Sequence, residues 1–263
     1  MPVKVNAVVR HRNQDEFAQI AYKVMEHAFA VHNEMGRFFD EDIYRDEVAG
    51  RVANARTEVG IEVQFENFRK LYSMDLLVAD GGVFELKTVS ALGPQHRSQL
   101  LNYLLLTGLS HGKLINFQTE KVEHEFVNTH LKLSDRTAFE IVQRNWCDPG
   151  PPTRPLLPWV VGLLRDIGAG LDVHLYEAAV SHVFGGEDVV IQEIDVYSGP
   201  RHLGRQKVRL TGPGWCFKVT TLDEADLARF EEHIRRFLDH TNLNGAHWIN
   251  ITRDQVTFST IES

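Results

Sequence analysis

The chain of 263 residues has only two cysteines, Cys147 and Cys216, and no apolar run that approaches the length of a membrane span. Two isolated cysteines make no metal-ligand spacing, and nothing in them points to an oxidising compartment. Residues 1–13 carry Lys4, Arg10 and Arg12 but lack the apolar core of a signal peptide. A cytoplasmic location without membrane contact is therefore expected. Gly-rich phosphate loops, nucleophile elbows and zinc-spaced clusters are also missing, which removes the common nucleotide-binding, serine-hydrolase and zinc-enzyme signatures. Positive charge is not in excess: 28 Lys and Arg stand against 36 Asp and Glu, a net charge of −8. That balance argues against non-specific nucleic-acid binding over the whole surface, which rests on neutralising phosphates. An acidic catalytic site would itself add to the negative count, and local patches outweigh the total.

What is present is an ordinary globular composition, 43% hydrophobic and 24% charged, long enough for one large domain or two small ones. The stretch that organises the chain is Ser73 to Val89, SMDLLVADGGVFELKTV. Two β-prone apolar runs separated by Asp80-Gly81-Gly82 predict a hairpin. Asp75, Glu85 and Lys87 lie within it, in segments apolar enough to be buried on both faces. A buried charge is costly unless it is paired or binds a metal. Glu85 and Lys87, two apart on a strand, share a face. A three-residue loop Asp80–Gly82 would pair Ala79 with Val83 and so set Asp75 opposite Lys87 on that same face. A two-residue loop would send Asp75 to the other side. The three-residue loop, with Gly82 left-handed, or an equivalent bulge is the expectation.

Around this hairpin the pattern predicts a helix from Asn13 to Glu34, capped by Asn13 with Glu16 three residues on and stopped at Gly36. A second helix is expected from about Asp40 to Ala55, carrying Glu41 one turn ahead of Tyr44. Strands follow at about Ile61–Phe68, Leu71–Ala79 and Gly82–Val89. A helix opens at Pro94 and ends at Gly108, with Gln99 and Tyr103 one turn apart on one face. Short strands at Lys113–Phe117 and Val122–Val127 and a helix over Ser134–Trp146 complete the first part. The Pro-rich run Cys147 to Pro155 reads as the start of a linker. The domain expectation is a first domain at 1–146, a linker at 147–157 and a second domain at 158–263.

Beyond the linker the frame repeats. Ile167–Tyr176 lies over Met35–Tyr44, Cys216–Leu222 over Val83–Val89, and His247–Ile251 over Lys113–Phe117, at offsets of 132, 133 and 134 residues. Three ordered anchors at a near-constant offset indicate duplication of a domain. The charged residues are not copied. Val173 stands for Glu41, Val208 for Asp75, Lys218 for Glu85, Thr220 for Lys87, His233 for Gln99 and Phe237 for Tyr103. The apolar frame survives without them, so folding does not need them.

Two carboxylates suit a hard divalent cation such as Mg²⁺ or Mn²⁺, which keeps open water positions and polarises a phosphodiester. An adjacent lysine can orient the attacking water or stabilise developing negative charge. Asp75, Glu85, Lys87, Gln99 and Tyr103 are the candidate catalytic residues, and Asp75, Glu85 and Glu41 the candidate metal ligands. The plain alternative is a Lys87–Asp75 ion pair across two strands with Glu85 facing solvent. His96, beside the site helix, and Arg201, Arg205 and Lys207, in a stretch free of acids, are candidate phosphate contacts. The alternative for that basic stretch is a charged hairpin edge. His32 reads as a structural, hydrogen-bonded histidine.

The blocks Glu41-x-x-Tyr44, Met74-Asp-Leu-Leu-Val78, Phe84-Glu-Leu-Lys87, Gln99-Leu-Leu-Asn-Tyr103-Leu and Lys113-Leu-Ile-Asn-Phe117 resemble the GxxExxY proteins. That group lies within the PD-(D/E)XK nuclease superfamily. The resemblance spans about Ala28 to Phe117. It implies an α/β (α+β) restriction-endonuclease-like fold, a mixed sheet flanked by helices, here in tandem with a degenerate second copy. It also implies divalent-metal-dependent cleavage of nucleic-acid phosphodiesters, with DNA the expected substrate. Asp75 and Glu85 then take the metal-ligand places, Lys87 that of the catalytic lysine, Gln99 and Tyr103 the Q-x-x-x-Y motif, and Glu41 the helix glutamate. The glycine that names the group is Phe38 here, although Gly36 is present. The second copy would serve as the partner in an internal pseudo-dimer or as a nucleic-acid-holding surface, and homo-oligomers are open. The rival reading is a catalytically inactive nucleic-acid-binding or scaffold protein that retains the site as a relic.

Overall fold

The computed structural model describes residues 2–150 and 155–263, so positions 151–154 of the expected linker lie outside the described residues. The chain forms two compact units divided between Leu133 and Ser134. The first contains β1 (Val3–Val5), α1 (Gln14–Met35), α2 (Glu41–Arg51), β2 (Ala55–Phe65), β3 (Phe68–Val78), β4 (Gly82–Lys87), α3 (Pro94–Thr107), β5 (His111–Asn116) and β6 (Glu123–Asn128). The second follows α4 (Leu133–Thr137) with β7 (Glu140–Arg144), α5 (Leu156–Ile167), α6 (Val173–Val183), α7 (Glu187–Val190), β8 (Ile191–Ser198), β9 (Arg201–Gly212), β10 (Trp215–Thr220), α8 (Glu224–Asp239), β11 (Gly245–Ile251) and β12 (Gln255–Glu262).

Helix α1 begins where its sequence says. The Asn13 side chain accepts the Glu16 N–H while the Glu16 carboxylate accepts the Asn13 N–H, each at 2.9 Å. This reciprocal cap satisfies two of the donors that a helix start leaves open. Gly36 ends the helix with φ 77°, its N–H on the His32 carbonyl. Phe17, Val24, Ala28 and Val31 on α1 pack with Tyr44 and Val48 of α2 on Leu76, Phe84, Leu86, Ile115 and Phe117 of the sheet.

The first sheet has the order β1-β2-β3-β4-β5-β6, with β4 and β5 parallel and the other neighbours antiparallel. A parallel pair needs a crossover, and α3 supplies it. Gly112 on β5 lets α3 come close: a Cβ there would lie 2.9 Å from Leu100 Cδ1.

The hairpin register differs from the expected one. Val78 pairs with Gly82 and Leu76 with Phe84, so the loop is Ala79-Asp80-Gly81 and Asp75 falls opposite Glu85 rather than Lys87. Ala79 and Asp80 both have positive φ, 50° and 60°, and the Gly81 N–H returns to the Val78 carbonyl at 3.1 Å. Gly81 cannot carry a side chain, since its Cβ would meet the Arg10 carbonyl at 2.4 Å. The N-terminal segment crosses the turn there, with Arg12 Nη2 donating to the Ala79 carbonyl at 2.8 Å. The slip moves pairing by two residues, so side-chain parity survives and Asp75 keeps its expected face.

The second sheet reads β7-β12-β11-β10-β9-β8. From β8 to β12 its pairing directions repeat those from β2 to β6: β10 and β11 are parallel around crossover helix α8, and the rest of that run is antiparallel. Two local devices recur as well. The Tyr44 hydroxyl donates to the Gly36 carbonyl at 2.7 Å and accepts the Phe39 N–H; the Tyr176 hydroxyl donates to Gly168 at 2.9 Å and accepts the Leu171 N–H. The Asn116 side chain clamps Val89 through both N–H and carbonyl, and the Asn250 side chain clamps Leu222 in the same way.

The sixth strand breaks the likeness. Residues 140–144, expected in a helix, form β7, parallel to β12 at the edge of the second sheet. The Ile141-Val142 pair in a short run favours extended over helical backbone once a strand edge is available. This recruitment draws the division between units ahead of the expected boundary at residue 146. No helix among the described residues is long and apolar enough to cross a membrane.

Candidate active site

The site forms where β3 and β4 part. Their ladder ends at Leu76 and Phe84. Beyond it the backbone N–H of Leu86 is satisfied by a side chain: Asp75 Oδ2 accepts it at 2.8 Å. Strand β2 irregularity accompanies the fork. Thr57 pairs with Leu76 and Val59 with Met74, while Glu58 between them, across from Asp75, has a left-handed φ of 50°. A non-glycine residue in that region is strained, and such strain often accompanies functional sites.

Lys87 gathers the carboxylates. Its Nζ lies 2.9 Å from Glu85 Oε1, 3.3 Å from Glu41 Oε1 and 3.8 Å from Asp75 Oδ2. Exposure is graded: the side chain of Glu85 is 1% exposed, that of Asp75 16% and that of Glu41 36%. The cluster therefore opens to solvent on the Glu41 side. Glu85 Oε2 is buried and receives no hydrogen bond from a fixed donor, the neighbouring Asp75 carboxylate being the group with which a protonated Glu85 would share its proton. Leaving a buried acceptor unmade costs about 1–3 kcal/mol, and more when it is charged.

The electrostatics follow. Burial first, then the Asp75 charge, push the Glu85 carboxyl up to about 8, against the pull of Lys87. Asp75 is raised by burial, with Lys87 and the Leu86 N–H opposing. Glu41 is also raised, chiefly by burial. For Lys87 burial works downward, but Glu85, Asp75 and Glu41 together outweigh it and the ammonium is held above its usual range. Three carboxylates against one ammonium leave the fully ionised cluster short of positive charge.

Tyr103 and Gln99 reach the same side from α3. Gln99 Nε2 donates to the Tyr103 hydroxyl at 3.0 Å. Burial, then Glu85, raise the phenol to about 12, so it stays protonated at neutral pH. Its ring lies edge-on to Tyr72, 6.2 Å between centroids. The five expected catalytic residues and Glu41 are thus brought to one region. Among the described residues, no group of three or more His, Cys, Asp or Glu converges as a metal cage. Asp75, Glu85 and Glu41 are linked to one another through Lys87.

The other expected contacts sit elsewhere in local structure. His96 Nδ1 accepts the Gly93 N–H at 2.9 Å at the start of α3. The basic stretch lies on β9, where the register sets Lys207 opposite Glu193 and Arg205 opposite Asp195, with Arg205 Nε 3.3 Å from the Asp195 carboxylate. Arg201, at the exposed hairpin end, faces Ser198. His32 Nε2 bonds the Thr119 carbonyl at 3.0 Å, the structural role expected of it.

Sequence reasoning passed over Arg45. Its side chain is 14% exposed, pairs with Asp46 at 3.0 Å and with Glu58 at 3.5 Å, and pulls Asp75 downward. Its spacing of one helical turn from Glu41 was the available signal. In the second unit the corresponding places hold Lys218, stacked over Phe237 at 5.8 Å, and Thr220, which accepts from the Trp248 indole at 2.8 Å. Trp248 is 2% exposed and belongs to the hydrophobic cluster of the second unit.

This charged fork in a mixed sheet has a counterpart among known families. Residues 18–129, which include every residue of the cluster, match the family model described as the PD-(D/E)XK nuclease superfamily. That region is therefore similar to nucleases that typically use divalent metals. No curated protein matches the chain. Among solved structures, one titled "Crystal structure of SSO0001" aligns at 19% identity with a TM-score of 0.29, covering 46% of this chain and 61% of that one.

Proposed function

We propose that the first unit is a divalent-metal-dependent nuclease that hydrolyses nucleic-acid phosphodiesters, with DNA as substrate, and that the second unit is a copy that has lost the chemistry. The observation that carries the proposal is the convergence of Asp75, Glu85 and Lys87 at the fork, with Glu85 Oε2 buried and without a fixed donor. Such a carboxylate oxygen beside a second carboxylate fits a Mg²⁺ or Mn²⁺ site, because such ions need one or two carboxylates and keep several waters. Bound there, the ion would polarise the scissile phosphate and acidify a water.

The residues of the chain do the rest. Asp75 and Glu85 would hold the ion, and the Leu86 N–H fixes the Asp75 carboxylate so that one oxygen is already oriented. Hydrolysis joins a water oxygen to phosphorus and breaks one P–O ester bond, and the leaving oxygen departs with a proton. Lys87 stands at the mouth of the pair, where its ammonium can donate to the attacking oxygen or to a phosphate oxygen in the transition state. Glu41, about a third exposed, bonds the lysine on its solvent side and would add a further carboxylate near the ion. The protonated Tyr103 hydroxyl, set by Gln99, is a further donor. In the second unit Lys218 stands at the place of Glu85 and Thr220 at that of Lys87, so the aligned positions lack the acid and the lysine.

Metal-dependent thermal stabilisation separates this proposal from a relic scaffold. Mn²⁺ at a hundred times its dissociation constant should stabilise the wild-type protein by about 2.7 kcal/mol. Asp75→Ala and Glu85→Ala should abolish the shift. An unchanged melting curve for the wild type would favour the scaffold reading.

A further inference from the structure

The loop from Gly36 to Asp40 delivers Glu41 to the site, and it carries an aromatic residue that the fold does not use. Phe38 is 89% exposed, and Phe39 and Ile43 beside it are 44% and 41% exposed. The second unit shows what the loop itself requires. There the same turn, closed by the same tyrosine hydroxyl bonds, has Gly170 in place of Phe38 and a buried Leu171, 5% exposed, in place of Phe39. Gly170 has a φ of 76°, whereas Phe38 is not among the residues with positive φ. The turn therefore folds without a bulky side chain, and in the first unit it has taken a backbone that admits one. The Arg37 guanidinium lies 5.5 Å from the Phe38 ring centroid. A cation on an exposed ring therefore lies three residues before Glu41, whose side chain bonds the site lysine, so an aromatic surface and a positive charge share the loop that leads into the cluster.

Resting on the nuclease reading, we infer that Phe38 is a stacking platform for an unpaired nucleobase, with Arg37 contacting the adjoining phosphate, so that the substrate is single-stranded nucleic acid or a frayed end. Bases inside a duplex present no free face to such a ring, whereas an unstacked base does. Stacking of a base on an aromatic side chain is sequence-tolerant and works together with nearby cations. Other exposed apolar side chains, such as Tyr22 and Leu71, are 74% and 73% exposed but lie on α1 and β3 outside this loop.

The test uses the full chain with a 12-nucleotide DNA strand carrying 2-aminopurine, and a blunt duplex of the same sequence. Binding is read in EDTA by fluorescence, and cleavage is read separately with Mn²⁺. Wild-type protein is expected to quench 2-aminopurine and to bind the single strand more tightly than the duplex. Phe38→Ala should weaken single-strand binding by roughly 5- to 150-fold, raise KM and leave kcat within about twofold. Phe38→Trp should restore quenching and affinity, and duplex binding should change little in either variant. Equal single-strand affinity and quenching for wild type and Phe38→Ala overturns the inference, while Mn²⁺-dependent cleavage in the same samples would show that the nuclease reading stands. Wild-type binding without cleavage would sink the nuclease reading and leave the stacking role to be judged by Phe38→Ala. No binding to either strand form overturns both. Phe38 is 89% exposed, so its replacement leaves the packing of the fold intact, which circular dichroism checks.

Discussion

Replacing Lys87 by methionine removes the ammonium that faces Glu85, Asp75 and Glu41 at 2.9, 3.8 and 3.3 Å, and leaves Arg45 as the cation acting on Asp75. Lysine and methionine side chains have similar length, so the change is mainly electrostatic. Each contact is worth on the order of 4 kcal/mol at an effective dielectric near 20, before desolvation is subtracted. Burial already opposes the charged form of Lys87, and Glu85, raised to about 8, can take up a proton at neutral pH. Both effects limit the loss. The expected cost in EDTA at pH 7 is about 3–5 kcal/mol, the range for orphaning one side of a buried ion pair, or about 10–15 °C in melting temperature. Chemical denaturation followed by circular dichroism measures it. Adding Glu85→Met to Lys87→Met should recover at least half of the loss, because the remaining buried charge disappears. Mn²⁺ should stabilise the single variant at least as much as the wild type, since the carboxylates are then free of their internal cation. A loss below about 1 kcal/mol, or a double variant less stable than the single one, would refute the reasoning that these charges are mutually dependent.

His247, 3% exposed against Trp215 and Thr211, is held by burial at about 4, well below a free imidazole. The unfolded chain takes up this proton near pH 6.5 and the folded one only near 4, so stability is present above 6.5 and lost as pH falls through that window. The loss reaches about 3 kcal/mol, and His247→Gln should flatten that part of the stability–pH curve. On β9, the acids opposite Arg205 and Lys207 predict that Arg205→Glu with Lys207→Glu leaves the salt dependence of nucleic-acid binding unchanged; a slope shallower by about two would make that hairpin a phosphate contact.

Local chemistry was legible wherever one residue decides one feature. Asn13 and Glu16 fixed the start of α1, Gly36 and Gly108 the ends of two helices, and the alternation around Glu85 and Lys87 put both on one face. The charged cluster that the structure brings together was singled out by contrast, because Lys218, Thr220 and Phe237 stand at the aligned positions of the second half. The hairpin register was not. It depends on Arg10 and Arg12 crossing Gly81, a contact of some 70 residues' separation that no local pattern contains. Nor was β7, since Glu140–Arg144 becomes a strand only because the β12 edge is there to pair with it. Arg45 and the left-handed Glu58 escaped notice for the same reason: their meaning comes from what lies across the sheet.

The central claim is that Asp75 and Glu85 support metal-dependent phosphodiester hydrolysis. Its most direct test is the rate of cleavage of single- and double-stranded DNA and RNA by the full chain, with Mg²⁺, Mn²⁺ or EDTA, for the wild type, Asp75→Asn and Glu85→Gln. The account predicts cleavage by the wild type only with metal, and a loss of at least about 10²-fold in both variants, the scale set by removing a preorganised charge from an active site. Cleavage that persists in EDTA, or that both variants carry out at the wild-type rate, would contradict it.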